Sequence, residues 1–229
     1  MRESSILLKR LDVNGNPYIG VFCRASDRMA IVSQDANDDL VRELQEALEV
    51  PAVRITIGGS RVVGSLCTLN STGIVVGDLA SRGVMDQIRR CSPAGAQVFK
   101  LTARLNAVGN NILVNDRAAL VHPDLSRTSM KKLGDYLGVE VEKGTVAGMK
   151  TVGSAAAVTI KGVLCHPKIT PQERKLLEDL FKVPVTVGTA NYGSPMLGAC
   201  TVANSKGAAA GTPTTGIEMG RLEEAFGFL

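Results

Sequence analysis

The chain has no tryptophan, and aromatic residues make up only 3% of its 229 positions. A nucleic-acid surface that stacks bases on rings, as in the RRM design, is therefore not expected. Histidine occurs twice, and none of the five cysteines is spaced as CxxC. That removes zinc-ribbon and thioredoxin-type patterns and points to reduced thiols. No segment approaches the roughly 18 apolar residues of a membrane span. The opening MRESSILLKRLDV holds only a three-residue apolar run, too short for a secretory signal. The glycine-containing stretches VGDLASRG and NSKGAAAG lack the GxGxxG or GK[ST] arrangement of a phosphate cradle. A cytoplasmic protein that avoids membranes, with no metal and no cofactor, is the expectation.

What remains is an apolar fraction of 45%, ample for a sizeable core, with 21% charged residues and a net charge of +4. The mild basicity is compatible with an RNA-rich partner without requiring one.

The informative feature is a repeat. Apolar-Gly pairs end at Gly20, Gly64, Gly109, Gly153 and Gly198, with successive gaps of 44, 45, 44 and 45 residues. Six residues after each glycine stands a small polar residue: Ser26, Asn70, Asn115, Thr159 and Asn204. Eleven and twelve residues after it stands an apolar pair, such as Val75-Val76 or Leu120-Val121. Each unit reads as strand, turn, strand, helix, strand. Leu40, Leu44 and Leu48 are spaced for one helix face, as are Met130, Leu133 and Leu137, and Met219, Leu222 and Phe226. Thr170 to Glu173 (TPQE) has the capping-box arrangement, with Pro171 in the first helical turn. The units span about 21–64, 65–109, 110–153 and 154–198, and a fifth, 199–229, lacks its last strand. Residues 1–20, containing SILLKRLDVNGNPYIG, are expected to supply it and so close a ring within one domain, 1–229. Closure removes edge strands that invite aggregation. A propeller has a similar period, but the GH and WD signatures are absent and each unit carries a helix.

The repeat also explains the histidines. His122 and His166 both lie thirteen residues after their glycine, where the other units have Ser33, Gly77 and Gly211. They are copies of one structural position. A metal site would need ligands at those other positions, and two of them are glycine. A nucleophile could be drawn from Cys200 with His122 or His166 and Asp124, but Cys200 stands among small apolar residues that imply burial.

Several strings are specific enough to suggest relatives: RLNAVGNN (Arg104 to Asn111), ALVHPDL, CHPK (Cys165 to Lys168) and VPVTVGTANYGS (Val183 to Ser194). Together, from about Arg10 to Phe228, the chain resembles the translation initiation factor 6 family in its archaeal form. The resemblance implies a pentein fold: an α/β ring of strand-strand-helix-strand repeats with five-fold pseudosymmetry, closed by the N-terminal strand. It implies a monomer that is not an enzyme and takes no small-molecule substrate. Such a protein would bind the large ribosomal subunit on its joining face, beside the sarcin–ricin loop of rRNA and an adjacent ribosomal protein. It would block small-subunit association there and take part in large-subunit maturation. The alternative is a pentein-type hydrolase or transferase that modifies guanidino groups through a cysteine, because the fold alone does not decide.

On that resemblance the ribosome-binding residues fall around the apolar-Gly pairs: Gly20 with Val21, Ser65, Asn110, Asn111 and Ser154. Asn110 is the foremost, as an amide beside glycine that offers both donors and acceptors. Many eukaryotic members carry a basic residue where this chain has Ser65. Separately, unit two has five basic residues against two acidic ones, so Arg82, Arg89, Arg90 and Arg104 are candidates for phosphate contacts.

Overall fold

The structure is a computed structural model, and it describes residues 8–228. Residues 1–7 and 229 of the expected domain lie outside the described residues, including Ser5 to Leu7 of the expected closing strand. The described chain starts with β1 (Leu8–Leu11). Unit one contains α1 (Ile19–Phe22), β2 (Cys23–Ala25), β3 (Ala30–Ser33), α2 (Asp38–Leu48) and β4 (Ala52–Ile55). Unit two contains α3 (Val63–Leu66), β5 (Cys67–Leu69), β6 (Gly73–Val76), α4 (Arg82–Cys91) and β7 (Gln97–Lys100). Unit three contains α5 (Val108–Asn111), β8 (Ile112–Val114), β9 (Ala118–Val121), α6 (Arg127–Leu137) and β10 (Glu140–Lys143). Unit four contains α7 (Val152–Ala155), β11 (Ala156–Val158), β12 (Val163–Cys165), α8 (Pro171–Phe181) and β13 (Val185–Val187). Unit five contains α9 (Leu197–Cys200), β14 (Thr201–Ala203), β15 (Ala208–Gly211) and α10 (Gly216–Phe226).

Each unit builds one three-stranded sheet, and the five sheets stay separate, so no closed barrel forms among the described residues. The first two strands of a unit pair antiparallel across a tight turn, as in Cys67↔Val76. The third returns parallel after the helix, as in Gly73↔Gln97. In unit five the third strand is β1, which pairs parallel with β15 from Leu8↔Ala208 to Leu11↔Gly211. The N-terminal strand therefore closes the ring as the repeat implied.

The middle strands β3, β6, β9 and β15 are buried along their whole length. Their β-branched and small residues read as continuous apolar runs because both faces are covered. The long helices lie over the sheets through one face. Leu40, Leu44 and Leu48 are buried, as are Leu133 with Leu137 and Leu222 with Phe226. Each such side chain contributes about 2 kcal/mol of transfer energy. Asn37, Ser81, Ser126, Thr170 and Thr215 cap the five long helices, each accepting from the amide three residues on.

Units are latched to one another through the turn between their first two strands. The Asn70, Asn115 and Asn204 side-chain carbonyls each accept from two amides of their own turn. Their amide groups donate to the backbone of the next unit: Asn70 to Asn115 O at 3.3 Å, Asn115 to Thr159 O at 2.9 Å, and Asn204 to Ser26 O at 3.1 Å. Two residues further on, cations reach carbonyls at or just past the C-terminal end of the neighbouring long helix, and those that reach the C-cap itself are favoured by the helix dipole. Arg28 donates to Ala94 O at 2.9 Å, Arg117 to Lys182 O at 3.3 Å, and Lys206 to Glu49 O at 3.1 Å. Lys161 sits 5.4 Å from the Phe228 ring centre.

The reading of each unit as strand, turn, strand, helix, strand omits one element. The apolar-Gly pairs lie in the one-turn helices α1, α3, α5, α7 and α9. Four residues are too few to show a helical period, and such a short helix holds only when its neighbours fix it.

Candidate functional site

The five one-turn helices form the innermost layer of the molecule. Glycine is needed there because the helices touch backbone to backbone. A Cβ on Gly64 would collide with the Gly20 carbonyl, one on Gly109 with that of Gly64, and one on Gly153 with that of Gly109. Gly198 meets Gly153 and Gly20 meets Gly198 in the same way, which completes the cycle. The apolar residue before each glycine (Ile19, Val63, Val108, Val152, Leu197) is fully buried and anchors the helix in the core.

A ring of inward carbonyls is a cation cradle, and one side chain fills it. Arg24 donates through Nε to Gly64 O at 2.9 Å and through Nη1 to Gly198 O at 3.2 Å. Its Nη2 serves Gly109 O at 2.8 Å and Gly153 O at 3.1 Å. One guanidinium thus ties four units to the fifth. Desolvation holds Arg24 below the usual arginine range. Beyond it runs a narrow axial channel of about 40 Å³, lined by Arg24, Thr68, Leu113, Ala157 and Val202 from the five inner strands.

The predicted binding residues all belong to this inner layer. Gly20 is buried, Ser65, Asn111 and Ser154 are 8%, 7% and 7% exposed, and Val21 and Asn110 are half-buried. Gly20, Ser65, Asn110 and Ser154 are thus brought together around one axis. The Asn111 carbonyl accepts from the His122 amide at 2.9 Å, which ties this residue to the core rather than the surface.

The four arginines of unit two are all exposed. Arg82 is the first residue of α4, and Arg104 lies in the stretch between β7 and α5. Arg89 and Arg90 occupy the last turn of α4, about 11 to 12 Å from its start at 1.5 Å per residue. Arg89 is paired with Asp86 at 2.8 Å.

The histidines do share one role. His122 Nδ1 accepts from the Asp124 amide at 3.1 Å and His166 Nδ1 from the Lys168 amide at 3.0 Å. Each shapes the turn before a long helix. Where a loop presses closer, glycine takes the position. A Cβ on Gly77 would strike Asn106 O, and one on Gly211 would strike Pro17 O.

Cys200 is fully buried, its sulfur 3.4 Å from Ser194 Oγ, and burial raises its thiol above the ordinary range. Burial pushes Cys23, Cys67 and Cys165 up to about 12. Those thiols stay protonated and are poor nucleophiles. Asp124 pairs with Lys150 at 3.0 Å. No group of three or more metal-ligating side chains occurs among the described residues. No helix there is long and apolar enough to cross a membrane.

Two acidic residues organise the turns that lead into the inner helices. Burial alone would raise Glu173, but bonds from Thr145 Oγ1, the Gly148 amide and Thr170 outweigh it and hold its carboxyl at about 2. Glu218 is likewise lowered against burial by Thr215, the Gly193 amide and Thr189. Beside this corner stand Tyr192 and Ile217, 82% and 84% exposed, and Tyr18, 41% exposed. Asn191 links them by donating to Pro17 O at 2.8 Å.

Sequence reasoning missed Arg24 and this apolar corner. Arg24 could have been found by aligning the units, because its equivalents Thr68, Leu113, Ala157 and Val202 carry no charge.

Five strand-strand-helix-strand repeats thus form one ring around a shared axis. Comparison with known proteins gives its family. The chain matches the eIF-6 family over residues 8–225. Relatives named translation initiation factor 6 include those of Natronomonas pharaonis, 46% identical over 96% of this chain and 99% of the relative, and Methanosarcina mazei, 46% identical over 97% and 100%. The protein of Pyrococcus furiosus is 44% identical over 97% and 99%. The chain belongs to the eIF-6 family, and a role in translation initiation, not an enzyme class, follows from that membership.

Proposed function

We propose that the chain binds the large ribosomal subunit on the surface that meets the small subunit and blocks subunit joining by occupying it. It acts as a monomer in the cytoplasm, as one domain over 1–229, and takes part in large-subunit maturation. The observation that carries this reading is the match over nearly the whole chain to relatives named translation initiation factor 6. The close backbone packing of the inner ring supports it, since steric exclusion needs a well-packed body.

The docking surface on this reading is the ring of one-turn helices with the turns that lead into them, centred on Asn110 with Gly20, Ser65 and Ser154 about the axis. Asn111 contributes through backbone position rather than an exposed side chain. Tyr18, Tyr192 and Ile217 flank this face and suit an adjacent ribosomal protein, because amphipathic aromatics are favoured at protein contacts. Of the candidate arginines Arg82, Arg89, Arg90 and Arg104, this reading favours Arg82 and Arg104 for rRNA phosphates near the sarcin–ricin loop over Arg89 and Arg90, which stand at the other end of α4.

Sedimentation tests the reading. The purified protein is expected to travel with large subunits and not with small ones, and to lower the yield of joined ribosomes. Binding should weaken as salt rises if phosphates are contacted. Equal travel with both subunits, or with neither, refutes it.

A further inference from the structure

We propose that Arg24 is a positioning residue for the docking ring. By holding the carbonyls of Gly64, Gly109, Gly153 and Gly198 it sets the orientation of the residues that follow them, and so the affinity for the large subunit. The inference rests on the docking surface proposed above.

The covalent link is short. A carbonyl and the nitrogen of the next residue lie in one planar peptide unit. The carbonyl that accepts from Arg24 at 2.8 Å is Gly109 O, so the plane it fixes is the Gly109–Asn110 plane. The same holds for Gly64–Ser65, Gly153–Ser154 and Gly198–Ala199. Rotation of any of these planes re-aims the following residue.

The helices cannot fix themselves. Each is four residues long and has no side-chain hydrogen bond at its N-cap. Nucleation of a single turn is unfavourable, so outside contacts must hold it. Buried apolar anchors hold each helix in the core, and the amides of Gly77, His122 and His166 donate to the carbonyls of Leu66, Asn111 and Ala155 in α3, α5 and α7. At the axis two further contacts act. The glycine contacts set how closely the helices approach, and Arg24 sets which way their carbonyls point. Thr68, Leu113, Ala157 and Val202 stand at the equivalent place in the other units, and none has a side chain that can reach across the axis with several donors.

The chemistry calls for a guanidinium. Its planar fork carries five N–H donors, enough for four acceptors arranged around an axis, whereas an ammonium has three. The carbonyls supply the negative pole that this partly buried charge requires, which is how backbone oxygens hold cations elsewhere.

The test is the affinity of purified large subunits for Arg24→Ala at fixed ionic strength, at a temperature well below its melting point. About tenfold weaker binding than wild type is expected, with the far-UV spectrum unchanged. Addition of about 10 mM guanidinium chloride, far below denaturing concentrations, should restore binding by refilling the cradle, and an equal concentration of sodium chloride should not. A role in stability alone would lower the melting point and leave the affinity of the folded variant untouched. That outcome overturns the proposal while the docking reading stands, and a loss that guanidinium fails to reverse also overturns it. If wild type does not bind large subunits, the docking reading fails first and takes this inference with it. Should Arg24→Ala not fold, Arg24→Lys replaces it. A partial loss is then expected, equal binding overturns the proposal, and failure of both to fold shows a role in stability only, with the same result.

Discussion

The starts of the five long helices divide into two groups. In units four and five the third helical residue is glutamate, and that one carboxylate does two jobs. Glu173 closes the capping box with Thr170 and also accepts from Thr145 Oγ1 and the amides of Ala147 and Gly148. Glu218 does the same with Thr215, Thr189 and the amides of Tyr192 and Gly193. In units one to three the equivalent residues are Leu40, Val84 and Ser129, which cannot clamp anything sideways. The turn at Asn14 and Gly15 is held instead by Asp12, which accepts from the Gly15 amide at 2.6 Å, and by Asn14 donating to Asp35 O at 3.0 Å. The stretch 101–107 in front of α5 contains no left-handed residue. The inner ring, in contrast, follows one rule in every unit. Pseudosymmetry is thus strict where backbones touch and loose where side chains can substitute for one another.

The strictest part should break hardest. Gly109→Ala is expected to cost about 3 kcal/mol or more, because its methyl group meets the Gly64 carbonyl and no flexible side chain can yield. Urea unfolding measures this. A cost under about 0.5 kcal/mol, the scale of a neutral surface change, would mean that the inner helices are not in backbone contact.

The clamped corners come next. Glu173→Ala should cost about 2 kcal/mol, since it strands the amides of Ala147, Gly148 and Thr170, whereas Ser129→Ala at the matching place in unit three should cost less than about 0.5 kcal/mol. The effect must depend on pH. The folded carboxyl titrates at about 2, below its ordinary 4.5, so the unfolded chain takes up the proton first as pH falls. The stabilisation is therefore full above 4.5 and fades as pH drops towards 2. The gap between wild type and Glu173→Ala should close over that window. A gap that stays constant would mean that the carboxylate is not the clamp.

The same contrast explains what could be read before any coordinates. The period of the apolar-Gly pairs, the capping box at Thr170 and the N-terminal strand closing unit five were all legible, because each leaves a signature within one unit or at a constant offset between units. The equivalence of His122 and His166 was legible for the same reason. Arg24 was legible only as the one charged residue at its repeat position; its role was not, because its four partners are backbone carbonyls of four other units, and carbonyls carry no sequence signal. The one-turn helices were missed because four residues cannot show a period. For Arg82, Arg89, Arg90 and Arg104 the charge count of unit two carries no information on which end of α4 each residue occupies.

A smaller effect separates crowded from open glycines. A Cβ on Gly220 within α10 would meet nothing within 4 Å, so Gly220→Ala should stabilise by up to about 1 kcal/mol through helix propensity. Set beside Gly109→Ala, the opposite signs would show that backbone contact, not glycine itself, is what the ring requires. A loss in both would point to some other demand on Gly220.

The smallest effect asks whether the clamp can be transplanted. Ser126 already caps α6 by accepting from the Ser129 amide at 3.1 Å, so Ser129→Glu would complete a capping box in unit three. The new carboxylate would also lie in the first turn, where the helix dipole favours negative charge. Against this stands the Ser126–Ser129 hydroxyl contact at 2.9 Å, which would be lost. The gain should be about 0.5 kcal/mol, and it should vanish at low pH as the new carboxyl protonates. It should fall short of what Glu173 contributes, because 101–107 presents no left-handed turn whose amides a carboxylate could gather. If Ser129→Glu matched the full Glu173 effect, the cap alone would account for the stabilisation, and the sideways bonds to Ala147 and Gly148 would be a consequence of the fold rather than one of its supports.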